Sequence, residues 1–229
     1  MSSLFSQPVI FLFEIILIYI LSRQAITEIF HLLRIFFKND KFIFSLVTVF
    51  FLPGTLIHEI AHFFGATVLM LRVHEVKIFP EWQKNYIKLG SVVYEKKDFF
   101  RGILVGIAPF FAGLFFFWVL GQFKLFPNEN IWLNILFGYL VYTVSSTMFS
   151  SPQDLIDITF IIPLTLIVWA IVYIFKIDIS QLLTNKKLIG NLLNFIREIN
   201  FYLIFSLAIN LSTILVFKSL RRLLENHEK

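Results

Sequence analysis

Four long stretches of this chain contain no lysine or arginine, and that feature decides most of what it can fold into. The stretches run from Phe42 to Leu71, Gly102 to Gln122, Leu125 to Phe175 and Glu198 to Phe217. A bilayer crossing takes about 20 mainly apolar residues. The first, second and fourth stretches therefore suit one span each, and the third is long enough for two. An earlier apolar run, Val9 to Leu21, is short but can extend into the residues after it. It lacks a basic leader and a small-residue cleavage site and carries Glu14, so it reads as a retained span and not as a signal peptide. The expectation is an all-α multi-pass membrane protein of about six transmembrane segments. It forms one integral membrane domain over 1–229, with its core at about 42–175.

Composition supports this architecture and excludes others. Apolar residues make up 58% and charged residues 15% of the 229, against roughly 45–50% and 25% in soluble domains. A chain this small has too little interior to hide that much apolar side chain from water. A soluble globular, disordered or fibrous protein is ruled out. The absence of cysteine removes disulfide frameworks, thiolate catalysis and cysteine-ligated zinc together. The net charge of +5 sits at the ends of apolar runs, where it meets anionic headgroups and not nucleic acid.

Between the spans, Ala25 to Phe37 and Ile177 to Ile196 show apolar residues at three-and-four spacing with interspersed charge, as interfacial amphipathic helices do. The second of these falls in an interfacial segment at 176–199. The basic tail Lys218 to Lys229 is expected at a headgroup surface. The longest polar stretch, Arg72 to Arg101, alternates in strand fashion as VHEVKIF and, after Pro80-Glu81-Trp82, as YIKLGSVVYE. That pattern predicts a small β-hairpin or sheet inserted at 72–101. The flanks Arg23–Lys41 and Arg72–Arg101 are both basic although they bracket one span, so charge assigns no orientation.

One motif carries chemistry. The second span reads Pro53-Gly54-Thr55-Leu56-Ile57-His58-Glu59-Ile60-Ala61-His62. HExxH on a helix places two imidazoles one turn apart on one face, where both can bind a zinc ion, with the glutamate as general base. Composition alone predicts about 0.005 such matches in the chain. Ionisable groups at a bilayer centre cost roughly 2.5–3.5 kcal/mol each on insertion scales, so a functionless cluster of His58, Glu59 and His62 would be expensive. The bland alternative is a buried polar cluster that only joins helices.

The stretch PGTLIHEIAHFFGA, followed by a β-like loop and further spans, resembles the site-2 protease family of intramembrane zinc metalloproteases. The resemblance covers roughly Phe42 to Ile158, and its specific part is HExxH within a span. In that family two histidines and a later aspartate bind zinc and the glutamate activates water. By motif, His58 and His62 become ligands and Glu59 the base. The family's asparagine-proline segment ending in Asp-Gly is absent here. Its nearest counterpart is Ser150-Ser151-Pro152-Gln153-Asp154-Leu155-Ile156-Asp157. A catalytic zinc needs a third protein ligand and one open position. Apart from Glu129 in an expected loop, Asp154 and Asp157 are the only acids in the third stretch. Asp154 is favoured because it lies nearer the proline break, and Asp157 is the alternative. The same residues also spell a helix start, with Ser151 as N-cap and Pro152 at N1, which does not exclude ligation.

The resemblance implies a zinc metalloendopeptidase that hydrolyses peptide bonds in or near transmembrane segments of membrane proteins. Its partners would be a transmembrane substrate and the bilayer, its cofactor Zn²⁺, and its location a prokaryotic cell membrane. The competing class is a catalytically inactive metal-binding scaffold or a metal transporter. A weaker alternative is a prenyl-protein-type membrane protease, which needs a glutamate ligand from a later helix. Among other residues, Glu14 reads equally as functional or interfacial, and His31, His74 and His227 as solvated. Gly54 and Gly65 can allow close helix approach. The Thr143–Ser151 cluster can serve ligands or bond neighbouring helices, and the Asn210-Leu211-Ser212 sequon is discounted because it sits in a span. Substrate identity and oligomeric state are not specified by the sequence.

Overall fold

The computed structural model describes residues 2–77, 81–83, 86–88, 90–95, 97–149, 173–174 and 185–227. Helices dominate them: α1 (Ser2–Phe36), α2 (Asp40–Val68), α3 (Phe99–Gln122), α4 (Ile131–Thr147) and α5 (Lys186–His227). Four of these (α1, α2, α3 and α5) are long and apolar enough to cross a membrane, and α4 is a shorter apolar helix. The two spans expected between Leu125 and Phe175 are represented among the described residues by α4. Residues 150–172 and 175 of that stretch, with Asp154 and Asp157, lie outside them.

Helix starts follow from local chemistry. Asn39, Asp98 and Asn130 cap α2, α3 and α4, each accepting from a backbone N–H in the first turn (Lys41, 3.0 Å; Arg101, 2.8 Å; Trp132, 2.9 Å). Such caps satisfy donors that a helix leaves unpaired. Both α2 and α3 stop where a residue turns left-handed, Met70 (φ 55°) and Lys124 (φ 49°). There Leu71 N–H bonds Ala66 O (2.9 Å) and Leu125 N–H bonds Leu120 O (3.0 Å), closing the last turn.

Two expectations are corrected. Ala25–Phe37 is not a separate interfacial helix but the continuation of α1. Ser22-Arg23-Gln24 contains no breaker, Arg23 lies over the Tyr19 ring (4.9 Å), and Thr27 Oγ1 bonds Arg23 O (2.8 Å). Of the expected helix Ile177–Ile196, residues 177–184 lie outside the described residues, and 186–196 are not a separate helix but the start of the single 42-residue helix α5, which continues to His227. Polar residues did not end either helix because they found partners between them. Glu28 pairs with Arg221 (3.3 Å), and Asn200 lies 3.1 Å from Gln7 and 3.2 Å from Glu14. Both contacts advance along α1 and α5 together, so the two helices run in the same sense.

The expected β insertion is present as nested antiparallel pairs. β1 (Val73–Lys77) pairs with β4 (Ser91–Tyr94), and β2 (Glu81–Gln83) with β3 (Tyr86–Lys88) between them. A bulge interrupts β1 between Val73 and Glu75. The main core joins α1, α3, α4 and α5 around Ile18, Phe117, Val141, Ile199 and Leu203, with Phe117 stacked on Tyr202 at 5.7 Å. Phe13, Phe64, Phe111 and Phe115 instead face outward, toward lipid in a membrane.

Candidate metal centre

α2 supplies the motif, and its neighbours approach it at glycines. A Cβ on Gly54 would lie 2.5 Å from Thr147 Oγ1 and 2.6 Å from the Thr143 carbonyl carbon, so α4 touches α2 backbone to backbone. One on Gly65 would lie 3.1 Å from Ala108 Cβ on α3. Both sites match the close approach that small residues permit between membrane helices.

Between them sit the histidines. His58 and Glu59 are buried, 4% and 8% exposed, and His62 is half-buried. The two imidazole rings are 4.7 Å apart and nearly perpendicular, with His58 Nε2 and His62 Nε2 separated by 3.2 Å. Two nitrogens bound tetrahedrally to one zinc at about 2.0–2.1 Å would be about 3.3 Å apart, so the pair has the spacing of a shared metal. His62 Nδ1 lies 2.9 Å from the Val105 carbonyl of α3. A carbonyl only accepts, so Nδ1 carries the hydrogen and the Nε2 lone pair of the neutral ring faces His58. This is the second-partner arrangement that orients metal-binding histidines.

Glu59 has a wall that the motif alone does not reveal. A Cβ on Gly90, the residue before β4, would fall 2.6 Å from Glu59 Cγ and 2.7 Å from its Oε1. The β insertion therefore presses bare backbone against the carboxylate. The signal was legible in YIKLGSVVYE, where an isolated glycine in a strand-like run marks a close approach. Val105 had no signal of its own, since a backbone acceptor is independent of side-chain type.

The other candidates sort as follows. Among the described residues no third His, Cys, Asp or Glu joins the pair in a ligand group. Asp154 and Asp157, proposed for that role, fall outside the described residues, as do Ser150 and Ser151. Thr143, Ser145 and Thr147 bond carbonyls of their own helix, and Ser145 also bonds Ser206 of α5. Within that cluster Ser145 joins α4 to α5. Glu14 is buried between α1 and α5 (4% exposed), while His31 and His74 are exposed. Asn210 is fully buried, which leaves its sequon closed to glycosylation.

The residues present fit a divalent metal. Two nitrogens converge, one is oriented by a carbonyl, and a carboxylate stands one residue away. Comparison with protein-family models, with curated proteins and with solved structures returns no match.

Proposed function

We propose that this chain is an intramembrane zinc metalloprotease of the site-2 protease type. The observation that carries the reading is the 3.2 Å approach of His58 and His62 Nε2 beside a buried Glu59, on a helix long and apolar enough to cross a membrane. His58, His62 and an aspartate, Asp154 ahead of Asp157, would hold the ion. When bound, zinc supplies a Lewis acid and a water acidic enough to attack near neutral pH.

The chain's own groups carry the protons. Glu59 takes a proton from the attacking water as its oxygen adds to the scissile carbonyl. It returns that proton to the nitrogen as the C–N bond breaks, leaving one carboxylic acid and one amine. Val105 holds His62 in the tautomer that keeps Nε2 available for the ion. A substrate strand laid along the edge of β4 that pairs with no strand among the described residues would lead past Gly90 to Glu59, since an exposed sheet edge recruits an extended peptide through main-chain hydrogen bonds. We further propose that the chain lies in a prokaryotic cell membrane.

Two features weigh against the other classes. An inactive scaffold has no use for the glutamate, which this chain keeps. The prenyl-protease type needs a glutamate from a later helix near the histidines. Glu198 of α5 instead bonds Gln122 at the end of α3 (3.0 Å), sixteen residues beyond the Val105–Gly106 turn. The deciding experiment is Glu59→Gln in protein reconstituted with a transmembrane substrate. Stoichiometric zinc with no cleavage is expected. Wild-type protein that binds no zinc, or metal transport that survives the substitution, would overturn the reading.

A further inference from the structure

α3 contains a proline, Pro109, buried inside the helix. In a regular α-helix each carbonyl accepts from the N–H four residues on, so the partner of Val105 O would be the N–H of residue 109. Proline has none. The carbonyl left open by Pro109 is the one that receives His62 Nδ1 at 2.9 Å.

From this coincidence we infer that Pro109 is a positioning residue for the metal centre. It withholds an N–H from Val105 O and so reserves that carbonyl for His62. The inference rests on the proposed metal site and adds a residue that touches neither metal nor substrate. Three facts converge on it. Helix-interior proline is costly and needs a reason. Val105 is fully buried, so water does not claim its carbonyl. And Gly65, one turn along α2 from His62, brings α3 close at Ala108, the residue next to Pro109.

The test is Pro109→Ala, which adds an N–H aimed at Val105 O. Helix propensity favours the alanine, so the metal-free protein should unfold no more easily than wild type. Zinc affinity should nevertheless fall about tenfold, the usual scale for loss of a histidine's outer partner. Solution ¹⁵N spectra of the His62 ring should shift from the Nδ1–H tautomer toward a mixture. A second variant carries the α-hydroxy acid of alanine at position 109. It lacks both ring and N–H and should restore wild-type affinity and tautomer.

Unchanged zinc affinity with an unchanged His62 tautomer in Pro109→Ala overturns the inference. So does failure of the hydroxy-acid variant to restore them, since the ring's shape would then be what matters. If wild type binds no zinc, the metal reading fails by itself, and the tautomer measurement still decides the role of Pro109.

Discussion

Replacing Gly90 with alanine tests whether the β insertion belongs to the proposed catalytic centre. The added Cβ would sit 2.6 Å from Glu59 Cγ, 2.7 Å from Oε1 and 2.8 Å from Cδ. Carbon atoms in contact prefer about 3.5–4.0 Å, so the overlap approaches 1 Å and something must move. Glu59 can yield at its flexible end, and the loop can yield at its backbone; either displaces base and strand relative to each other. Overpacking of this kind costs about 1–3 kcal/mol, and a 1 Å misplacement of a reacting group costs on the order of 10²-fold in rate. We expect Gly90→Ala to keep its zinc, because His58 and His62 are untouched, while cleavage of a reconstituted transmembrane substrate falls about tenfold to a hundredfold. Gly190→Ala is the control. A Cβ there meets nothing within 4 Å, and the helix should gain up to about 1 kcal/mol with no change in activity. Full activity in Gly90→Ala would refute the contact and remove the β insertion from the site.

Other consequences follow from the same geometry. Gly54→Ala forces a methyl onto the Thr143 backbone and should destabilise the protein by about 3 kcal/mol, read as a lower denaturation midpoint with and without zinc. Glu28→Gln removes the carboxylate that faces the Arg221 guanidinium (3.3 Å) and should cost about 1–3 kcal/mol; a double-mutant cycle with Arg221→Met should show a coupling between the two, and additive losses would deny the pair. Asp154→Asn should lower zinc affinity more than Asp157→Asn does, measured by competition with a chelator, and the reverse order would reassign the ligand. Val76→Pro removes an N–H from the strand whose partner is Val92 and should lower cleavage without loss of zinc; unchanged cleavage would count against substrate docking on this sheet.

The limits of α2 and α3 were legible because charge and capping agree. The lysine- and arginine-free stretches from Phe42 and Gly102 begin within three residues of Asn39 and four of Asp98, whose side chains cap these helices. HExxH was legible because its spacing is the helix period. Charge misled at Arg23 and Arg197, which were read as borders. A helix does not stop at a polar residue but at a breaker or an unsatisfied end, and α1 and α5 pair Glu28 with Arg221 and Gln7 with Asn200 across their contact. Val105 was hidden for another reason: it acts through its backbone, and which backbone faces the motif is decided by tertiary packing, which also decides that the close approach marked by Gly90 is to Glu59.

That packing explains how the histidine pair fits into an apolar helix. Gly54, His58, His62 and Gly65 follow one another at spacings of four, four and three, so they form a single stripe on α2. The face that carries the imidazoles is thus the face that clamps α4 at one end and α3 at the other. Contact at the two glycines holds the neighbours near the backbone, and the larger histidines fill the space left between. In the proposed metal site a third ligand would enter beside them from one of the clamping elements or from the chain beyond it. α4 ends at Thr147, against Gly54 and one turn from His58. Asp154 follows seven residues later and Asp157 ten. A chain can span at most about 3.3–3.6 Å per residue, so both aspartates start within reach of the site. The arrangement that admits a third ligand is therefore set by α2's small residues before any aspartate is chosen.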